Sequence, residues 1–202
     1  MNNRIDRKKL ILQGARELFY EHGFSQVSMD ELARHLKMSK KTLYNYFDSK
    51  EVLLHTIVVD LKNELSAGVD RLLMDDSLEF PAKIHEIFTF VGTKLSAFSQ
   101  NFILDLKRSS PQIWTMVEDY RREAAFLRFN RLLEQGMSKG YVRKDINKSL
   151  AVLLYAAAIE TILNPEFRKL VPEQMEEEIP SKPAEVFDGL VSIILNGAMK
   201  ER

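Results

Sequence analysis

The stretch from Ser28 to Lys50, SMDELARHLKMSKKTLYNYFDSK, limits what this chain can fold into more than any other. It holds two helix starts in close succession. Ser28 is spaced to accept from the amide of Glu31 while Glu31 reaches back to the amide of Ser28, and Val27 and Leu32 flank that box as a staple. The device begins again at Ser39, which caps a helix through Lys40 to Phe47, with Met38 stapled to Leu43. Only Lys37 and Met38 separate the two helices, so they must cross steeply, as in a helix-turn-helix. Leu32, Leu36, Met38, Leu43 and Tyr46 supply the apolar contacts, and small Ala33 lets the second helix approach the first. With Leu43 and Phe47 turned inward, Lys40, Lys41, Thr42, Tyr44 and Asn45 face out at helical spacing. Two cations, two hydroxyls and an amide suit phosphates and base edges in a major groove. An ordinary solvated face explains the charges equally well, but it has little use for an aromatic at Tyr44.

The same stretch resembles the DNA-binding domain of the TetR (tetracycline-repressor) family of transcriptional regulators. The resemblance covers Val27 to Leu54, with SKKTLYNYFDSKEVLL, Ser39 to Leu54, as its core. It implies that Ser28, Ser39, Lys40, Thr42, Tyr44, Tyr46 and Lys50 touch DNA, most of them at phosphates. Three positions depart from the family pattern. Lys37 stands where the turn usually has Gly and is expected to adopt a positive φ at modest cost. Lys41 stands where the recognition helix usually has Gly, adding a cation, and Tyr46 replaces a frequent His.

Charge is distributed to match. The net charge is zero, yet ten of the 29 Lys and Arg, and only six of the 29 Asp and Glu, fall within residues 1–50. A basic head on an acidic body is a layout for binding DNA at one end. With 45% hydrophobic residues in 202, the chain can bury a substantial core. The absence of cysteine excludes disulfides and thiolate metal sites. The longest uncharged apolar run, Ser149 to Ile159, is too short to span a bilayer, and MNNRIDRKK lacks the apolar segment of a secretory signal. A cytoplasmic protein with no membrane association is expected.

Helical periodicity continues along the whole chain, with no sustained alternation, so the expected fold class is all-α. Arg4 to His22 forms the first helix, ended by Gly23. Residues 1–48 are expected to be a three-helix DNA-binding domain and residues 49–202 a helical regulatory and dimerisation domain. A helix from Lys50 to about Met74 links them, and others follow over residues 81–98, 101–107, 111–137 and 148–163. The 111–137 helix carries the stripe Ile113, Val117, Tyr120, Ala124 and Leu127, and Gly136 and Gly140 are expected to end it. Residues 165–180 read as an acidic linker, and Pro183 opens a last helix ending near Ala198.

The helix after Asn147 and the last helix are apolar on more than one face, so each must be buried on more than one side. A central position in a monomeric bundle meets that need, but a partner subunit does so more economically. The resemblance implies the same, a homodimer through a four-helix bundle, for which Ala151, Leu154, Ala158, Phe187, Leu190, Val191 and Ile194 are the candidates. It also implies a small effector bound within the body. Phe88, Phe98, Phe102, Trp114, Val117, Tyr120, Ala124 and Tyr155 are candidate lining for an apolar or amphipathic ligand, although such stripes also fill ordinary cores.

No catalytic residue, cofactor or metal is expected. His22, His35, His55 and His85 are scattered without ligand spacing, and neither a Gly-rich phosphate loop nor a nucleophile elbow occurs. The functional expectation is a repressor that binds a palindromic double-stranded operator as a homodimer and is released by a ligand. The alternative is a ligand-independent structural or division-linked DNA binder whose body docks protein partners.

Overall fold

A computed structural model describes residues 2–162, 170–180, 185–186, 189–190 and 192–193. Among the described residues there is no strand. The helices are α1 (Asn2–His22), α2 (Met29–His35), α3 (Lys40–Tyr44), α4 (Lys50–Met74), α5 (Phe80–Leu95), α6 (Gln100–Ser109) and α7 (Pro111–Glu123). A π-helical segment (Ala124–Phe129), α8 (Asn130–Ser138), α9 (Lys148–Ile162) and a single turn, α10 (Glu173–Glu176), follow. The fold is all-α, with an N-terminal helix-turn-helix and a larger helical body.

Compactness divides the chain into two units, Met1–Asn63 with Ala97–Val117, and Glu64–Ser96 with Glu118–Arg202. The motif-based division at residue 48 follows the DNA-binding signature. Packing instead groups that signature with the first part of α4, all of α6 and the start of α7.

In the first unit, Ile11, Ala15 and Phe19 of α1 pack with Leu32, Leu43, the α4 residues Leu53, Leu54 and Ile57, and Phe102 and Leu106 of α6. Burying each of these leucine, isoleucine and phenylalanine side chains stabilises by about 1.5–3 kcal/mol. Short α2 and α3 depend on this core, because helices of their length are marginal alone.

The second unit has its own core, centred on Leu73, Phe80, Ile84, Phe88, Phe129, Leu132, Leu133 and Val152. Two features here differ from the expectation based on a regular helical period. The π-helical turn adds a residue, which rotates everything after it by about 100° relative to a continuous α-helix. The stripe from Ile113 therefore does not continue through Leu127, which is 59% exposed, whereas Ala125 and Phe129 are buried. Gly136 does not end its helix either. It lies buried inside α8, where an added Cβ would come 2.5 Å from Cζ of Phe80 and 2.6 Å from Cγ2 of Val142. Close packing requires the glycine, and the helix ends near Gly140, at φ 79.

Lys83 is also fully buried, at 0% exposure. Its ammonium donates to the carbonyl of Leu73 at 2.9 Å and to Oε1 of Gln135 at 3.4 Å, while Nε2 of Gln135 donates to the same Leu73 carbonyl at 3.0 Å. Leu73 belongs to the last turn of α4, whose carbonyls have no intrahelical partner, so the two side chains cap that helix end. The last helix expected from Pro183 lies largely outside the described residues, as do Phe187, Val191 and Ile194.

Candidate nucleic-acid interface

Both helix starts form as their sequences require. Ser28 donates its amide to Oε2 of Glu31 at 2.7 Å and accepts from the Glu31 amide at 3.2 Å. The Ser28 amide, then its hydroxyl, hold the Glu31 carboxyl below its ordinary value. At the second start, Oγ of Ser39 accepts from the Thr42 amide at 3.0 Å, and the two hydroxyls lie 2.8 Å apart.

The turn between α2 and α3 is a Schellman motif. Lys37 donates to the Arg34 carbonyl at 3.1 Å and Met38 to that of Ala33 at 2.9 Å. Lys37 has φ 51, the left-handed conformation that glycine adopts at no steric cost. Leu32, Ala33 and Leu43 are buried beneath the turn, which fixes which side of α3 faces away.

Lys40, Lys41, Tyr44 and Asn45 are exposed, and Thr42 and Tyr46 are half-buried. The structure thus brings the expected cations, the phenol and the amide onto one helix. Nζ of Lys40 lies 2.7 Å from Oδ1 of Asp30 on α2, a hydrogen bond that raises the lysine pKa. Lys41, beside the phenol and the amide, is therefore the α3 cation not committed to that pair. The hydroxyl of Ser28 already donates to Glu31, at 2.9 Å.

Lys50, the first residue of α4, is half-buried. Its ammonium donates to the carbonyls of Phe24 at 2.8 Å and Val27 at 2.9 Å and sits 4.2 Å from the Phe24 ring centroid. Across the same connection, Oδ2 of Asp105 on α6 accepts from the Ser25 amide at 2.6 Å. Burial raises the Asp105 pKa, but hydrogen bonds from the amide and hydroxyl of Ser25 and the hydroxyl of Ser109 outweigh it and leave the carboxyl below its ordinary value.

Residues 11–57, which run from α1 through the turn into α4, match the family model for bacterial regulatory proteins of the tetR family. The HTH-type transcriptional regulator UidR of Escherichia coli strain K12 is 43% identical over 144 residues, covering 69% of this chain and 71% of its own. The chain belongs to the TetR family. It is a DNA-binding transcriptional regulator of helix-turn-helix type. An uncharacterized HTH-type regulator of Bacillus subtilis, YvaF, is 24% identical over 94% of both chains. The likeness of fold extends over the body: the structure of SmeT in complex with triclosan superposes with a TM-score of 0.66 at 18% identity, covering 96% of this chain and 92% of that one.

The TetR-like body places the remaining candidates unevenly. Phe102 and Trp114 are buried in the core of the first unit, with Phe98 and Val117 packed against it. There Tyr20 meets Phe98 at 4.5 Å and Phe102 at 5.0 Å between ring centroids. Phe88 belongs to the second core, and Tyr155 stacks on Phe129 at 3.9 Å in the same unit. Burial raises the pKa of the Tyr155 phenol, and that of Tyr120 despite a 3.4 Å hydrogen bond from Ser66. Half-buried Ala124 opens the π-helical segment.

Of the dimer candidates, Ala151 and Leu190 pack against the second core, and Ala158 is half-buried. Leu154 is 61% exposed, together with Leu150 at 62% and Leu153 at 52%. Leu150, Leu153, Leu154 and exposed Ala157 form one outward stripe on α9. Leu150, Leu153 and Ala157 can be found in the sequence by following their three-and-four spacing. Lys83 also carries a sequence signal, since it sits three residues after Phe80 and four before Ile87 on an apolar face. Asp105 carries none, because its partner is 80 residues away.

Among the described residues, no cluster of His, Asp or Glu could hold a metal, and no helix is long and apolar enough to cross a membrane.

Proposed function

We propose that the protein is a repressor that binds a palindromic operator as a homodimer and is released by a small apolar or amphipathic effector. The observation that carries DNA docking is the outward set Lys40, Lys41, Thr42, Tyr44 and Asn45, held by a capped helix whose Leu43 is fully buried. In this reading Lys41 and Asn45 reach base edges, while Ser28, Ser39, Lys40 and Tyr46 contact phosphates. Dimerisation is supported by the α9 stripe, because leucines left more than half exposed on adjacent turns mark an interaction surface. A two-fold pairing of these stripes covers both copies at once and ties two recognition helices together.

The effector reading rests on the body of the second unit, where Phe88, Tyr120 and Tyr155 are aromatic, Ala124 is small, and the two phenols stay neutral. SmeT, similar in fold, has a solved structure in complex with triclosan. An effector can release the operator only by preferring a DNA-incompetent shape, and DNA must then weaken effector binding by the same factor. Such a regulator works in the cytoplasm, beside the chromosome.

Selection of duplexes from a random library, followed by footprinting, tests the first part. The expected product is a palindrome with half-sites about one helical turn apart or slightly more. Lys41→Ala or Asn45→Ala should change which bases are preferred, whereas Lys40→Ala should weaken all duplexes alike. Equal losses on selected and scrambled DNA for all three would reject these roles. A thermal-shift screen of apolar compounds, with operator titration of each hit, tests release. Hits that stabilise the protein but leave operator affinity unchanged would reject it.

A further inference from the structure

The connection between α1 and α2 is six residues long, and side chains from two other helices hold its backbone. Lys50 on α4 donates to the carbonyls of Phe24 and Val27. Asp105 on α6 accepts from the amide of Ser25, and its side chain is only 10% exposed. Ser99, which caps α6, donates to the carbonyl of Tyr20 at 2.8 Å, in the last turn of α1. Gly23 opens the connection at φ 91, and a Cβ there would meet Oδ2 of Asp105 at 3.1 Å. A cation and an anion thus satisfy opposite backbone groups of one short turn, and all these residues lie in the first unit.

Apolar packing of Leu32 and Leu43 drives α2 and α3 onto the core, but packing of this kind has little directionality. The hydrogen bonds of Lys50 and Asp105 are charge-assisted and directional. They fix where α2 begins, and therefore where α3 presents its outward face. Asp105 lies far from α3 in sequence, and Lys50 directs its ammonium to carbonyls rather than along that face.

We infer that Asp105 and Lys50 are positioning residues for operator recognition, bracing the α1–α2 connection from α6 and α4 without having to touch DNA. The inference rests on the reading of α3 as the recognition helix. It predicts a sign that simple electrostatics reverses. Removing a negative charge from a DNA-binding unit should tighten DNA binding if only charge matters. If Asp105 is a brace, Asp105→Asn should weaken binding instead.

The experiment measures the affinity of the full-length protein for a duplex that the wild type selects from a random palindrome library, and for a scrambled duplex, over a range of salt. Circular dichroism confirms that each variant is helical. Asp105→Asn keeps the size and one acceptor, so it should fold, yet lose roughly tenfold on the selected duplex and nothing on the scrambled one. Lys50→Met should weaken the selected duplex with an unchanged salt slope, and Lys50→Arg, which restores donors, should recover part of the loss. Selected-duplex binding by Asp105→Asn that equals or exceeds wild type would overturn the inference. So would a salt slope that falls by about one unit in Lys50→Met, the mark of a lost phosphate contact. A wild type that selects no duplex would reject the function reading itself, and the inference with it.

Discussion

In the first unit α3 exposes cations, an amide and the phenol of Tyr44, and its Leu43 is fully buried in the unit's core. In the second unit α9 does the reverse: Val152 and Ile159 enter a core, while Leu150, Leu153 and Leu154 stay uncovered. A helix that buries its greasy side and shows hydroxyls, an amide and cations is finished as a fold and prepared for a polar partner. A helix that shows three leucines on adjacent turns leaves the surface that the proposed dimer would cover. Polar anchoring is long-range in both units. Lys50 and Asp105 brace the α1–α2 connection of the first beside its local caps, and the second has its own distant pairs. Asp70 holds Arg128 with two bonds of 3.1 Å, Arg121 reaches Glu160 at 3.1 Å, and Lys83 caps α4 from inside the core.

Charging the stripe is the strongest way to break this contrast. Leu154→Arg should leave each protomer folded, because the side chain is already exposed, yet abolish dimers in sedimentation. Operator affinity should fall by roughly a hundredfold or more as the two heads lose their tether. A dimeric variant with normal binding would show that the α9 stripe is not the dimer contact. The matching change in the first unit, Tyr44→Ala, should leave assembly untouched.

Lys83→Ala tests whether the second unit depends on its buried polar anchor. It leaves the Leu73 carbonyl with Gln135 alone and removes a packed aliphatic stem, so denaturant unfolding should show a loss of about 2–3 kcal/mol. A cost below about 0.5 kcal/mol would mean that water replaces the ammonium and that the site is not sealed.

Lys37→Gly should act in the opposite direction. Relief of a left-handed non-glycine residue should stabilise the first unit by roughly 0.5–1 kcal/mol, measurable as a rise in melting temperature. Operator affinity should rise or hold if the cation at 37 is not a phosphate contact.

The smallest effect expected is on the acid limb of stability. The folded pKa of Asp105 lies below the usual 3.8, so the carboxylate contributes stability that is complete above that value. This contribution is lost as the pH falls through the lower folded value. Arg108, 4.0 Å away, and the Ser25 and Ser109 groups favour the ionised form. Asp105→Asn should therefore flatten acid unfolding below about pH 4, and an unchanged acid limb would show that the bond to Ser25 carries little linkage.

The sequence alone determined the elements whose causes are local. The two helix starts at Ser28 and Ser39, the forced left-handed turn at Lys37, the outward set on α3 and the span of α4 follow from contacts between residues a few positions apart. Such contacts recur wherever the same residues do, and that is also why the family resemblance could be seen in one short stretch. Tertiary structure decided what depends on which residues meet from afar. The π-helical turn rotated the end of the α7 stripe, so Phe129 rather than Leu127 faces the core. Lys83 found two acceptors inside that core, and Phe102 and Trp114 went to the first unit instead of joining Phe88 and Tyr155. Lys50, which the resemblance implied at a phosphate, donates to the carbonyls of Phe24 and Val27, acceptors that no local spacing reveals. Periodicity reports that a helix has an apolar face, but packing chooses the neighbour that covers it, and a charged side chain takes whichever acceptors the fold leaves within reach.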